Sequence, residues 1–222
     1  MIPAMSERVA VLLAGPSGSG KTRLARLSGC PQLRLDDFYL DHDHPGLPRT
    51  LGIVDWDDPA SWDLDGAMAA LRELLATGTT RVPTYSIPAS ARVGERELDL
   101  GSARVFIAEG IFAPQALAEC LRTGVPVVPL YLDRPRALIL ALRLIRDLRQ
   151  RRKSPWVLIR RGVALALAQP ELRRKAVALG FEPVSMRAAL RRLEAFVGVG
   201  ENDGHGSARR VPTGADAGEG RP

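Results

Sequence analysis

Short, wholly apolar runs alternate along this chain with longer segments in which apolar residues recur every three or four positions. The run VAVLLA at 9–14 is stopped by a glycine and a proline, which predicts a buried strand. Two more runs, ARVFIAEG at 103–110 and VPVVPLYLD at 125–133, are almost continuously apolar and predict strands covered on both faces. A shorter segment, QLRLDDFYL at 32–40, predicts a second strand ending at the acidic pair Asp36 and Asp37. Helical spacing is clearest at 64–77, where Leu64, Met68, Leu71 and Leu75 share one face, Asp63 stands as the N-cap and Gly78 as the stop. A second helix is predicted near 113–123. A third opens at Pro135 and runs through the segment 134–153, with Leu138, Leu142 and Ile145 as its inner stripe. Pro155 and Pro170 interrupt the helical segments that follow, and Ser185 caps a last amphipathic helix to about residue 197. Between these elements, 41–63 scatters proline, glycine and aspartate and predicts an ordered loop. From Gly198 onward periodicity is lost and glycine is frequent, which predicts a disordered tail over 198–222. Strands alternating with helices predict an α/β domain over 1–197, with a mainly parallel sheet covered on both sides in three layers.

Composition narrows the class of protein. With 222 residues and 45% hydrophobic content the chain has enough apolar material for one proper core. No apolar run approaches the roughly 18 residues of a membrane span, and the N-terminal residues lack the pattern of a signal peptide, so a cytoplasmic protein without a membrane partner is expected. Two cysteines, Cys30 and Cys120, without CxxC spacing argue for neither a disulfide framework nor a zinc site. The net charge of +6 is unevenly spread: residues 134–192 carry fourteen Arg and two Lys against three acids, while 1–133 carry seventeen acids against twelve bases. A basic segment of this kind suits clustered anionic oxygens, whether of a nucleotide polyphosphate or of a nucleic acid backbone.

The chemistry begins directly behind the first strand. Gly15, Gly20, Lys21 and Thr22 satisfy GxxxxGK[ST] between a predicted strand and a predicted helix start, the context that a phosphate-binding loop requires. The nucleotide-binding segment is therefore Gly15, Pro16, Ser17, Gly18, Ser19, Gly20, Lys21 and Thr22. Small residues let consecutive N–H groups close around phosphate oxygens, with Lys21 neutralising the β and γ phosphates and the Thr22 hydroxyl placed on Mg²⁺. ATP and Mg²⁺ are the implied cofactors. Phosphoryl transfer to a hydroxyl also needs a carboxylate within hydrogen-bond reach of that hydroxyl, and Asp36 at the end of the second strand is the candidate. Glu109, ending the strand in IAEG, is the candidate second metal-holding group. No NKxD segment for guanine recognition occurs.

Five segments then follow in order: LDDFYL, DWDDPASWD, VPTYSIPASAR, FIAEGIF and RLIRDLRQRRK. Their order from about Val9 to Ser154 resembles the uridine kinase family, with its relatives the phosphoribulokinases and pantothenate kinases. The resemblance implies a P-loop kinase with a helical arginine-rich lid at about 143–155, in which Arg143, Arg146 and Arg151 align with lid arginines and Lys153 takes the place of another. It implies Asp36 as the catalytic aspartate of a D-x-F-Y motif, Tyr85 as a nucleoside contact, Asp57 as a ligand of ribose hydroxyls, and Tyr39 and Arg92 as further acceptor-site residues. Two positions depart from the family pattern. Ser90 stands where the family reads the pyrimidine base with histidine, and Arg151-Arg152-Lys153 replaces an Arg-Gly-Arg turn.

The leading expectation is an ATP-dependent kinase acting on a hydroxyl of a nucleoside, uridine or cytidine first, or of another small metabolite, with no nucleic-acid partner. The resemblance also permits a homo-oligomer. A second reading stays open at this point: a nucleotide-binding regulatory or nucleic-acid-associated protein that uses 134–192 as a phosphate-backbone surface.

Overall fold

Strand β1 (Val9–Ala14) runs down the middle of a five-stranded sheet. The structure, a computed structural model, describes residues 8–16, 18–50, 52–135, 138 and 170–198. The sheet contains β2 (Gln32–Arg34), β7 (Val105–Glu109), β1, β8 (Val127–Leu132) and β9 (Glu182–Val184) in that spatial order, and every pairing is parallel. All five strands therefore end on one edge. The chain steps from β1 out to β2, returns to β7, then crosses to β8 on the other flank of β1, so a crevice opens at the end of β1.

Side-chain alternation along β1 accounts for the two covered faces. Val11 and Leu13 point to the layer formed by Leu24 and Ala25 of α1 (Lys21–Ser28) and Ala189 and Leu193 of the C-terminal helix α5 (Met186–Gly198). Ala10, Leu12 and Ala14 point to the opposite layer, built from α2 (Leu64–Thr77) through Met68, Leu71 and Leu74, and from α3 (Ala113–Thr123) through Ala116, Leu117 and Cys120. Helix α4, described over 170–178, adds Ala176 to that layer. This is the three-layer α/β architecture expected from the sequence. The caps are as expected too: Asp63 Oδ1 accepts from Gly66 N at 2.8 Å, and Gly78 closes α2 in the left-handed region. Ser185 Oγ accepts from Ala188 N at 3.2 Å at the start of α5.

The structure differs from the sequence reading in three places. Strand β2 ends at Arg34, and the acidic pair sits in a single 3₁₀ turn, Leu35–Phe38, because the DDF segment has no alternating apolar face to pair. The loop 41–63 carries two minimal strands, β3 (Arg49–Thr50) and β4 (Ile53–Val54), paired antiparallel. Residues 79–99, unassigned from sequence, form a long antiparallel hairpin of β5 (Thr79–Ser86) and β6 (Ala91–Asp99) with a bulge at Thr84/Tyr85. β6 reads ARVGERELD and buries only Leu98, so it shows no apolar alternation. The lid over 143–155, with Arg143, Arg146, Arg151 and Lys153, lies outside the described residues, as do Ser17 and the tail beyond Gly198.

Candidate active site

The loop after β1 turns on glycines. Gly20 adopts φ 95°, a left-handed conformation in which a Cβ would also stand 3.2 Å from Met186 Cε of α5. Ser19 N donates to Pro16 O at 3.0 Å, closing the turn ahead of α1. No side chain caps the start of α1, which leaves its first-turn amides and the positive end of its dipole for an anion. The Ser19 hydroxyl is fully buried and unpartnered among the described residues. Lys21 Nζ donates to Gly15 O at 2.9 Å, so its ammonium lies folded over the loop.

Opposite the loop, parallel pairing sets Glu109 level with Leu13, at the end of β7. Its Oε1 accepts from Gln32 Nε2 at 2.7 Å and, at the long limit of 3.5 Å, from Thr22 Oγ1. Burial pushes the Glu109 carboxyl above its ordinary value, against the pull of Lys21, and Asp36 adds a further upward push. Burial likewise lowers the Lys21 ammonium, while Glu109 and Asp36 draw it back up. Three charges of mixed sign thus share one poorly solvated place.

Asp36 is fixed by the turn that follows β7. Its Oδ1 accepts from Ile111 N at 2.9 Å. A Cβ on Gly110 would lie 2.6 Å from Asp36 Oδ1 and 2.7 Å from Leu35 Cβ, so only glycine lets the two chains approach this closely. Neighbouring Asp37 is buried, between Arg34 at 3.6 Å and Arg96 of β6 at 3.5 Å. Its carboxyl is raised by burial, with both guanidinium groups acting the other way. Gly18, Gly20, Lys21, Thr22, Asp36 and Glu109 all line one cleft of about 750 Å³. Gln32, Arg34, Ile111 and Arg134 line it as well and were not singled out from sequence. For Arg34, Ile111 and Arg134 the common signal is position, since each stands at the end of a strand or in the turn just after it.

The expected acceptor residues cluster around Tyr39. Its ring packs on Trp56 at 5.6 Å, Tyr85 at 5.5 Å and Phe112 at 5.6 Å between centroids. Its hydroxyl donates to Trp56 O at 3.0 Å, and burial raises its pKa, with the Asp36 and Asp57 carboxylates pushing the same way. Asp57 itself is exposed. Tyr85 donates to Leu40 O at 3.4 Å. The Arg92 guanidinium is spent on the protein: Nε donates to Tyr39 O at 3.1 Å, and Nη2 donates to Phe38 O at 3.3 Å and Asp63 Oδ2 at 2.9 Å. Ser90, at φ 48°, donates from Oγ to Ile87 O at 3.3 Å inside the hairpin turn. Trp56 and Asp37 are contributors that sequence reasoning passed over.

The residues present fit a magnesium nucleotide. Thr22 Oγ1 and Glu109 Oε1 are hard oxygen donors on one wall of the cleft, and no cluster of three or more His, Cys, Asp or Glu forms a metal cage among the described residues. A sparse oxygen set suits Mg²⁺, which keeps waters and phosphate oxygens in its shell.

The chain is 34% identical over 116 residues to inorganic pyrophosphatase TTM1 of Arabidopsis thaliana, a match covering 51% of this chain and 17% of that protein. The chain thus spans about a sixth of the length of that relative. It is 24% identical over 154 residues to a uridine kinase of Ureaplasma urealyticum, covering 66% of this chain and 72% of that one. In fold it is similar to a crystal structure described as a putative fructose transport system kinase from Silicibacter sp. TM1040, with a TM-score of 0.56, 21% identity and coverage of 83% and 92%. The phosphoribulokinase / uridine kinase family matches residues 33–157, more than half of the chain, and the protein belongs to that family.

Proposed function

We propose that this protein is an ATP-dependent phosphotransferase that moves the γ-phosphoryl group of ATP onto a hydroxyl of a nucleoside, of uridine or cytidine type, or of another small metabolite. The observation that carries the reading is the shared cleft, lined by Lys21 and Thr22 at an uncapped helix start together with Asp36 and Glu109. Loop amides and the Lys21 ammonium hold the phosphate tail. Thr22 and Glu109 would hold Mg²⁺, which would offset the negative charge of the phosphate tail. Asp36 has one oxygen fixed by Ile111 N–H, leaving the other to orient the acceptor hydroxyl and take its proton. The acceptor oxygen forms a bond to the γ-phosphorus, the bond from that phosphorus to the bridging oxygen breaks, and its electron pair leaves on ADP. Arg143 and Arg151, which the resemblance to the family assigns to the lid, deliver guanidinium groups to the charge that spreads over the phosphoryl group in flight.

Asp36→Asn tests the assignment, because it removes the proton acceptor while keeping the hydrogen bond from Ile111. Nucleotide affinity should stay within about 2-fold, and turnover should fall by roughly 10²- to 10⁴-fold. Titration with a fluorescent ATP analogue and ADP release in the presence of Mg²⁺ and an acceptor panel give the two readouts. Undiminished turnover would remove Asp36 from its role. ADP release absent with nucleosides, pantothenate and sugar phosphates alike would remove the phosphotransferase reading itself.

A further inference from the structure

Resting on the phosphotransferase reading, we infer that Arg34 is a further catalytic residue: its guanidinium meets the non-bridging oxygens of the phosphoryl group as it crosses from ATP to the acceptor. Asp37, buried behind it, is the positioning residue that holds this cation in place.

The sheet brings Arg34 to the cleft. Parallel pairing sets Arg34 level with Glu109, as it sets Gln32 level with Ile107. Gln32 and Arg34 are two residues apart and share a face, while Leu33 between them points into the layer of α2 and α3. On that shared face Gln32 already reaches Glu109, its Nε2 lying 2.7 Å from Oε1. Arg34 lines the same cleft as Lys21, Thr22, Asp36 and Glu109.

Strand order gives the residue its task. The phosphate loop follows β1 and Asp36 stands in the turn after β2, with β7 between the two strands. β1 and β2 are thus two strand spacings apart, about 10 Å, and transfer takes place over the end of β7. Lys21 and Arg23 belong to α1, and Arg134 follows β8 on the other flank of β1. Among the described residues lining the cleft, Arg34 is therefore the cation on the receiving side. In transfer the acceptor oxygen bonds to the γ-phosphorus and its proton passes to Asp36, while the bond to the bridging oxygen breaks and its electron pair leaves on ADP. Arg34 stays protonated throughout and donates N–H bonds to oxygens whose charge is spread in that passage.

The surroundings of Asp37 hold the guanidinium and leave its donors unspent. Arg34 Nη2 lies 3.6 Å from Asp37 Oδ1, and Arg96 Nη2 of β6 lies 3.5 Å from Oδ2. One carboxylate thus sits between two cations, and the surplus positive charge is matched when a phosphoryl group arrives. The Asp37 side chain is 4% exposed and that of Arg34 is 54%, so the pair is anchored at the carboxylate and open at the guanidinium. Among the described residues Arg34 donates no hydrogen bond; its link to Asp37 is an ion pair. Arg92, by contrast, spends its guanidinium on Phe38 O, Tyr39 O and Asp63. Asp37 fills the open position of the D-x-F-Y segment, so this clamp belongs to the present chain and not to the motif.

The test uses the whole chain and compares Arg34→Ala, Arg34→Lys and Arg96→Ala with the parent. Titration with ADP, and with ADP plus aluminium fluoride, both with Mg²⁺, separates binding of the nucleotide from binding of the group in flight, for which the fluoride complex stands in. Arg34→Ala should bind ADP within about 3-fold of the parent, lose at least about 10-fold in affinity for the fluoride complex, and turn over about 10²-fold more slowly with any acceptor that releases ADP. Arg34→Lys should regain part of that loss, because an ammonium replaces the charge but not the planar fork. Guanidinium ion at millimolar concentration should raise the turnover of Arg34→Ala and leave that of the parent unchanged. Arg96→Ala, which breaks the rear of the clamp, should lower Tm without the selective loss for the fluoride complex. If Arg34→Ala and Arg96→Ala lose stability alike and both bind the fluoride complex as the parent does, the two arginines only tie the hairpin to the sheet and the inference is overturned. A rise in acceptor KM with kcat unchanged overturns it too, since Arg34 then grips the acceptor. Either result leaves the phosphotransferase reading standing. Silence across the acceptor panel, with ADP and its fluoride complex bound equally by the parent, overturns both.

Discussion

Glu109 and Lys21 hold each other in a place that suits neither charge, and this has a measurable sign. Glu109 is raised above its ordinary value of 4.5 chiefly by burial. Between that value and the raised one the folded chain binds more protons at this site than the unfolded chain, so its contribution to stability falls as pH rises through the window and then levels off. Lys21 is lowered from 10.5, again chiefly by burial, so between its lowered value and 10.5 the unfolded chain binds more protons and stability recovers as pH rises. Glu109→Gln removes the first effect and keeps an oxygen for Gln32. The difference in unfolding free energy, variant minus parent, should therefore move in favour of the variant as pH climbs from about 4.5, no more steeply than about 1.4 kcal/mol per pH unit. Urea unfolding of both proteins at a series of pH values reads it directly. A difference that stays flat from about pH 4 to 8 would mean that the Glu109 carboxyl titrates as it does in water.

Among the elements, the β5–β6 hairpin is the one that ties the aromatic cluster around Tyr39 to the turn carrying Asp36. Arg92 and Arg96 of β6 both reach the turn that carries Asp36; Arg92 reaches Phe38 and Tyr39, and Arg96 reaches Asp37. Arg92→Ala should destabilise the chain by about 1–3 kcal/mol, since it strips two main-chain carbonyls and the partly exposed Asp63 of a charged donor. It should also lower kcat with little change in KM for ATP, because the turn bearing Asp36 loosens while the phosphate loop is untouched. Arg92→Lys should recover part of the stability, as a single ammonium cannot reach all three acceptors. If Arg92→Ala instead leaves stability unchanged and raises only the acceptor KM, Arg92 contacts substrate. The hairpin also marks where sequence reading ran out. Helix 64–77 was legible because Asp63, Gly78 and one apolar stripe all agree, and β1, β7 and β8 because continuous apolar runs have few other uses. β6 buries only Leu98, being held by β5 and by salt links rather than by an apolar face. The phosphate loop was legible as a local motif. The seat of Asp36 was not, since it depends on Ile111, 75 positions away, and on Gly110 lacking a side chain.

At the scale of the whole molecule, the position of the site follows from strand order. With all strands parallel and β1 central, the chain leaves β1 toward one flank and later returns to the other, so the loop after β1 stands in an open crevice with no crossover helix above it. The same layout puts the helix that carries Lys21 and Thr22 against α5 from the far end of the chain, through Leu24 and Ala25 facing Ala189 and Leu193. Phosphate held at the start of α1 is thereby coupled to packing between the two ends of the sequence, and binding should stabilise the domain as one unit. At a nucleotide concentration about 100 times Kd, mass action gives about 2.7 kcal/mol. For a domain of this size that corresponds to a rise in Tm of about 5–10 °C. Lys21→Ala should cut the rise to less than about a third, because it takes away the ammonium folded over the loop while leaving the Gly15 carbonyl exposed to water at small cost. Scanning calorimetry of parent and variant, each with and without Mg-ATP, gives the four melting temperatures needed. An equal rise in both proteins would locate nucleotide binding away from the end of β1, and with it the cleft would lose its claim to be the active site.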